Sequence, residues 1–180
     1  MPSTEDGKVN TSNCLGTKSV RYDFDGVPMW VSLRGSGAKD PPSQLVMGLT
    51  LADGHTARIP VPEIRLKPLN DGAEESYPLP AWERSVLRWK LSRNKQLERV
   101  TVETGPAAGP LIGGKPNDGD NIFGPAPTKT FVASIPLKGL PAPAYHVQLP
   151  AIEINGKLHA VEPIKYRHEV RVKFMVPVNC

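Results

Sequence analysis

The last fifteen residues carry the plainest two-residue alternation in the chain. Tyr166, His168, Val170, Val172, Phe174, Val176 and Val178 occupy one set of positions, and Arg167, Glu169, Arg171 and Lys173 fill the set between. Strand side chains point alternately to two faces, so Tyr166–Cys180 predicts a long strand with one wet face. Such a strand is not stable alone. It needs paired neighbours and a second layer over its valine face, which places it near the centre of a sheet.

Shorter alternations fill the rest of the chain. Val20, Tyr22 and Phe24 predict a strand that turns at Gly26 and returns through Met29 to Leu33. Leu45, Met47, Leu49 and Leu51 predict another, followed by Ala52-Asp53-Gly54 and then Ala57, Ile59 and Val61. A three-residue connection with Gly54 left-handed sets Leu51 opposite His55, Leu49 opposite Ala57 and Met47 opposite Ile59, whereas a two-residue turn mixes the faces. The same device at Ile154-Asn155-Gly156 pairs Ile152 with Leu158 and Glu153 with Lys157. Leu87, Trp89 and Leu91 predict a hairpin with Val100 and Val102 around Asn94–Gln96, although Trp82, Val86 and Trp89 also fit one face of a short helix. Phe131, Ala133 and Ile135 predict a strand that Pro136 and Pro141 confine to an edge or crossover, and Tyr145, Val147 and Leu149 predict one more.

Nine to eleven short strands without a sustained helical period describe an all-β, antiparallel sandwich of two sheets with one long Gly/Pro-rich loop; a barrel is the alternative. A chain of 180 residues suits one core. Residues 1–17 are expected to be a flexible arm and residues 18–180 a single domain. Twenty prolines and sixteen glycines indicate many turns but stay below the level of disorder. The net charge of +4 is too small to imply nucleic acid and favours an acidic partner. No apolar run is long enough for a transmembrane helix. Cys14 and Cys180 lie at opposite ends of the expected fold and predict a disulfide, which persists only in an oxidising compartment. The expected location is therefore periplasmic or secreted with the leader removed; the alternative is cytoplasmic.

Candidate chemistry is sparse. His55, His146, His159 and His168 lack metal-ligand spacing and there is no Cys-x-x-Cys, so neither a metal nor a cofactor is expected. Asp23-x-Asp25-Gly26 and Asp118-x-Asp120 begin like calcium loops but lack the later ligands, and read as solvated turns. Gly35-Ser36-Gly37 reads as a flexible turn, since no G-x-S-x-G appears.

Two connections and one charge pattern carry the functional expectation. Gly105–Lys129 shows no strand pattern, yet holds Leu111, Ile112, Ile122 and Phe123, which serve either as a plug on the core or as an apolar anchor for a partner. Lys67–Arg84 combines Asp71, Glu74 and Glu75 with Tyr77, Leu79 and Trp82. Arg84, Arg88, Lys90, Arg93, Lys95 and Arg99 form a basic stripe on the outer face and tip of one hairpin, without the aromatic row that single-stranded nucleic acid needs. The expectation is a non-enzymatic, exported protein-binding domain of inhibitor or immunity type. Ile112, Ile122, Phe123, Trp82, Arg84, Arg88, Lys90 and Arg93 would contact the partner. A carbohydrate-binding module using Trp30, Trp82 or Trp89 is the alternative, and a hydrolase whose residues converge only in three dimensions is a third reading.

Overall fold

The computed structural model describes residues 2–3, 8–11, 18–34, 43–69, 72–89, 97–114, 128–137 and 144–167. All of its strand pairs are antiparallel and no helix occurs among these residues, so the fold is an antiparallel β-sandwich. The largest sheet contains β2 (Lys8–Thr11), β3 (Lys18–Phe24), β4 (Val27–Arg34), β5 (Gln44–Ala52), β9 (Trp82–Trp89), β10 (Leu97–Gly105) and β12 (Thr128–Pro136), in the order β10-β9-β12-β5-β4-β3-β2. A five-stranded sheet contains β1 (Pro2–Ser3), β7 (Glu63–Pro68), β8 (Glu75–Pro78), β13 (Ala144–Gln148) and β16 (Ile164–Arg167), in the order β1-β16-β13-β7-β8. The smallest contains β6 (Thr56–Arg58), β11 (Leu111–Ile112), β14 (Ile152–Ile154) and β15 (Lys157–His159), in the order β11-β6-β14-β15.

The inward faces of the three sheets meet in one core. Val20, Tyr22, Met29, Leu49 and Phe131 come from the large sheet, Ile64, Leu66, Tyr145 and Ile164 from the five-stranded one, and Ala57, Leu111, Ile152 and Ile154 from the smallest. Alternation decides this directly: β3 buries Val20, Tyr22 and Phe24 while Arg21 and Asp23 are exposed. The β3–β4 hairpin closes through Asp25-Gly26 with both φ positive, the mirror-image turn that matches strand twist.

Several expectations are corrected. Ala52-Asp53-Gly54 does not join a hairpin, because β5 is already paired with β4 on one side and β12 on the other. Having no free side to offer, β5 sends the chain across to the small sheet, where β6 pairs with β11 and β14. Asn155-Gly156 is a two-residue turn with φ of 50° and 82°, so Ile152 faces His159 and Glu153 faces Leu158. The left-handed Asn-Gly pair outranks the face-matching argument, and Leu158 is left 62% exposed. The Phe131 strand is interior, between β5 and β9, with Pro136 harmlessly at its last position. Val61 is exposed, and the strand expected around it is replaced by β7, whose inward residues are Ile64 and Leu66. Within the 1–17 arm, Pro2–Ser3 pairs with β16 and Lys8–Thr11 with β3. Of the terminal strand, Tyr166 and Arg167 belong to β16, second from one end of its sheet; residues 168–180 lie outside the described residues.

Candidate functional site

The strand β9 begins at Trp82 rather than Leu87, and its inward positions are Trp82, Arg84 and Val86. Trp82 is completely buried and its Nε1–H donates to the Ala107 carbonyl at 3.2 Å. It is therefore a core residue in this structure, whereas the sequence places it among the partner contacts. Leu111 lies beside it, in the space that a Cβ on Gly105 would fill. The segment expected to be strandless thus begins as a plug. Leu111 is 3% exposed and β11 hydrogen-bonds into the small sheet, with Gly113 N–H donating to the His55 carbonyl at 2.8 Å.

The same parity takes Arg84 out of the expected outer stripe. Arg84 points inward and is only 8% exposed, so it does not belong to an outer cationic face. Its Nε donates to Glu103 Oε2 at 3.0 Å. Glu103 stands directly opposite Arg84 because a register shift between Thr101 and Glu103 advances β10 by one residue. Lys129, which has the parity of Phe131 and Ala133, donates to Glu103 Oε1 at 3.2 Å and reaches Oε2 at 3.1 Å. Three strands thus place two cations on one carboxylate at a corner of the inner face. An arginine has five N–H donors. Only Nε has a hydrogen-bond partner among the described residues.

The end of the β11 segment borders this corner. A Cβ on Gly114 would stand 3.7 Å from Lys129 Cε and 3.8 Å from Asp53 Oδ1. Two residues earlier, Ile112 is 60% exposed and shares the outer face of the small sheet with Thr56, its ladder partner. Arg58, Glu153 and the exposed Leu158 continue that face.

A second polar cluster ties the large sheet to the small one. Asp25 Oδ2 accepts from Lys157 Nζ at 2.9 Å, and His159 Nε2 lies 3.3 Å away without hydrogen-bond alignment. The Lys157 hydrogen bond holds the Asp25 carboxyl below its usual value. Asp23 Oδ1 accepts from Gly26 N–H at 2.9 Å, so this pair is turn chemistry.

Of the other expected contacts, Ile122, Phe123, Lys90 and Arg93 lie outside the described residues, as do Cys14 and Cys180. For Arg88 the backbone alone is described, paired with Glu98. Trp30 covers Gly48 on the outer face of the large sheet and carries the Arg34 guanidinium 6.0 Å from its ring centre. No group of three metal-ligating side chains stands together among the described residues, and no helix there is long and apolar enough to cross a membrane. Sequence reasoning missed Glu103 and Lys129. The inward parity of Lys129 becomes legible once the Phe131 strand is extended back to Thr128, whereas nothing in the alternation marks the bulge that aligns Glu103. No family model, curated protein or solved structure matches the chain.

Proposed function

We propose that this chain is a non-enzymatic protein-binding domain of inhibitor or immunity type, which neutralises a toxin or enzyme by docking it where β11, the start of β12 and the β9–β10 ladder meet. The observation that carries the reading is Ile112, an aliphatic side chain 60% exposed on an edge strand, two residues from Gly114 and the corner formed by Arg84 and Lys129. Isolated exposed apolar residues are ordinary. An edge isoleucine two residues from Gly114, which borders Lys129, is less so, because apolar anchors are enriched at the desolvated centres of interfaces. The net charge of +4 favours a partner with an acidic surface. Export to the periplasm or beyond, with Cys14 bridged to Cys180, belongs to the same reading.

The test is capture on the immobilised full chain, with the retained protein identified, purified and titrated by calorimetry. Ile112→Ser should weaken its binding by about tenfold or more, as loss of a central apolar anchor does. A partner bound equally well by Ile112→Ser would overturn the assignment of this surface.

A further inference from the structure

The Arg84–Glu103–Lys129 corner is unusual in how its donors are distributed. The Arg84 side chain is nine-tenths buried, so its guanidinium has given up most of its water. A desolvated guanidinium is ordinarily satisfied by several acceptors, because each unmet donor carries a desolvation cost. Here one carboxylate, Glu103, is shared between Arg84 Nε and Lys129 Nζ, while the Nη groups have no protein acceptor among the described residues. Asp53, the other acid near Gly114, makes no ion pair with Lys129 among the described contacts. Two cations on adjacent strands that share one carboxylate, with the Nη groups of the guanidinium without a protein acceptor among the described residues, have donors in reserve for a planar oxyanion.

We propose that Arg84 and Lys129 form a carboxylate-recognition site that receives an aspartate or glutamate side chain of the protein partner. The fork donates to a carboxylate end-on through its two Nη groups, and Lys129 supplies a second charge beside it. Glu103 is the positioning residue: it orients both cations and competes with the incoming carboxylate for them. The source of the carboxylate rests on the protein-binding reading above, but the site itself does not.

The experiment titrates the full chain with glutarate, a dicarboxylate probe, and follows the Arg84 Nε–H and the Gly114 amide by NMR. Inorganic phosphate and chloride are run in parallel at constant ionic strength. Glutarate should produce saturable shifts at both groups with a Kd of about 10 mM or tighter, since a single exposed fork supplies only weak affinity. Lys129→Met should weaken binding about fivefold, and Arg84→Lys, which keeps the charge but loses the fork, by about tenfold. Glu103→Gln removes the internal competitor and should tighten binding about threefold, an effect that a purely structural ion cluster would not give. Should Arg84→Lys fold poorly, Lys129→Met and Glu103→Gln decide the matter through the Gly114 amide. Shifts no larger than those with chloride, unchanged affinity in Glu103→Gln, or saturation by phosphate but not glutarate would each overturn the proposal. No partner is present in the titration, so its failure is distinct from failure of docking at Ile112.

Discussion

Leu111 and Ile112 are adjacent in sequence and opposite in environment, which makes them a sharp test of how the Gly/Pro-rich segment meets the sandwich. Leu111 is 3% exposed and fills the space between Gly105 and Trp82, whereas Ile112 is 60% exposed on the outer face. Leu111→Ala removes a buried side chain and leaves a void that the paired strands around it can only partly close, so it should cost about 3 kcal/mol. For a domain of this size that lowers Tm by roughly 6–12 °C. Ile112→Ser changes a surface position and should cost under about 0.5 kcal/mol, or roughly 1–2 °C. Thermal unfolding followed by circular dichroism separates the two. Equal losses for both variants, or a Leu111→Ala protein that melts with wild type, would refute the claim that β11 is core on one side and free surface on the other.

Three further outcomes follow from particular contacts. Gly48→Ala places a methyl group into the Trp30 indole, so the ring must leave the sheet; the variant should lose roughly 1–3 kcal/mol and its tryptophan emission should shift to the red, with Trp30→Ala in the same chain recovering part of the stability. The carboxyl of Asp25 is depressed by Lys157, so its contribution is fully present above the ordinary value of 3.8 and is lost as pH falls through the folded-state value. Lys157→Met should therefore differ from wild type in stability at neutral pH and converge with it in acid; a constant gap across that range would refute the linkage. Intact mass after alkylation without reductant should show Cys14 and Cys180 unmodified, and two alkylated cysteines would end the disulfide and export argument together.

Much of the fold was legible because burial imposes a period of two. Val20-Tyr22-Phe24, Leu45-Met47-Leu49-Leu51 and Tyr145-Val147 announced their inward faces without help from tertiary structure. Pairing was not legible in the same way, since alternation states which face is buried but not which neighbour lies alongside. For β5 the neighbour was decided by competition: β4 and β12 occupy both its edges, and no signal within Leu51–Ile59 reveals that a strand arriving from residue 128 has taken the second one. Proline was a misleading guide at β12 for a related reason. Pro136 is forbidden in a sheet interior only where its missing N–H leaves a ladder position empty, and at the last residue of the strand little is lost.

The candidate site failed to show in the sequence because charge and face were assumed to agree. Lys and Arg on a strand are read as outward, and for the exposed Arg99 that reading follows the ordinary cost of burying an ion. Arg84 breaks it because a carboxylate two strands' width from Lys129 is delivered to the same corner by an irregularity in β10, and that shared acceptor makes inward placement of both cations tolerable. The arrangement has an asymmetry that a purely structural ion pair lacks. One carboxylate satisfies each cation only partly, so the corner is electrostatically settled enough to fold and still open to a second acid. If folding alone were served, a residue with no unmet donors would do better at position 84. Methionine there should thus leave the sandwich as stable as wild type or more so, while abolishing the glutarate response. An Arg84→Met protein that unfolds well below wild type would instead place the value of this arginine in the fold rather than in what it receives.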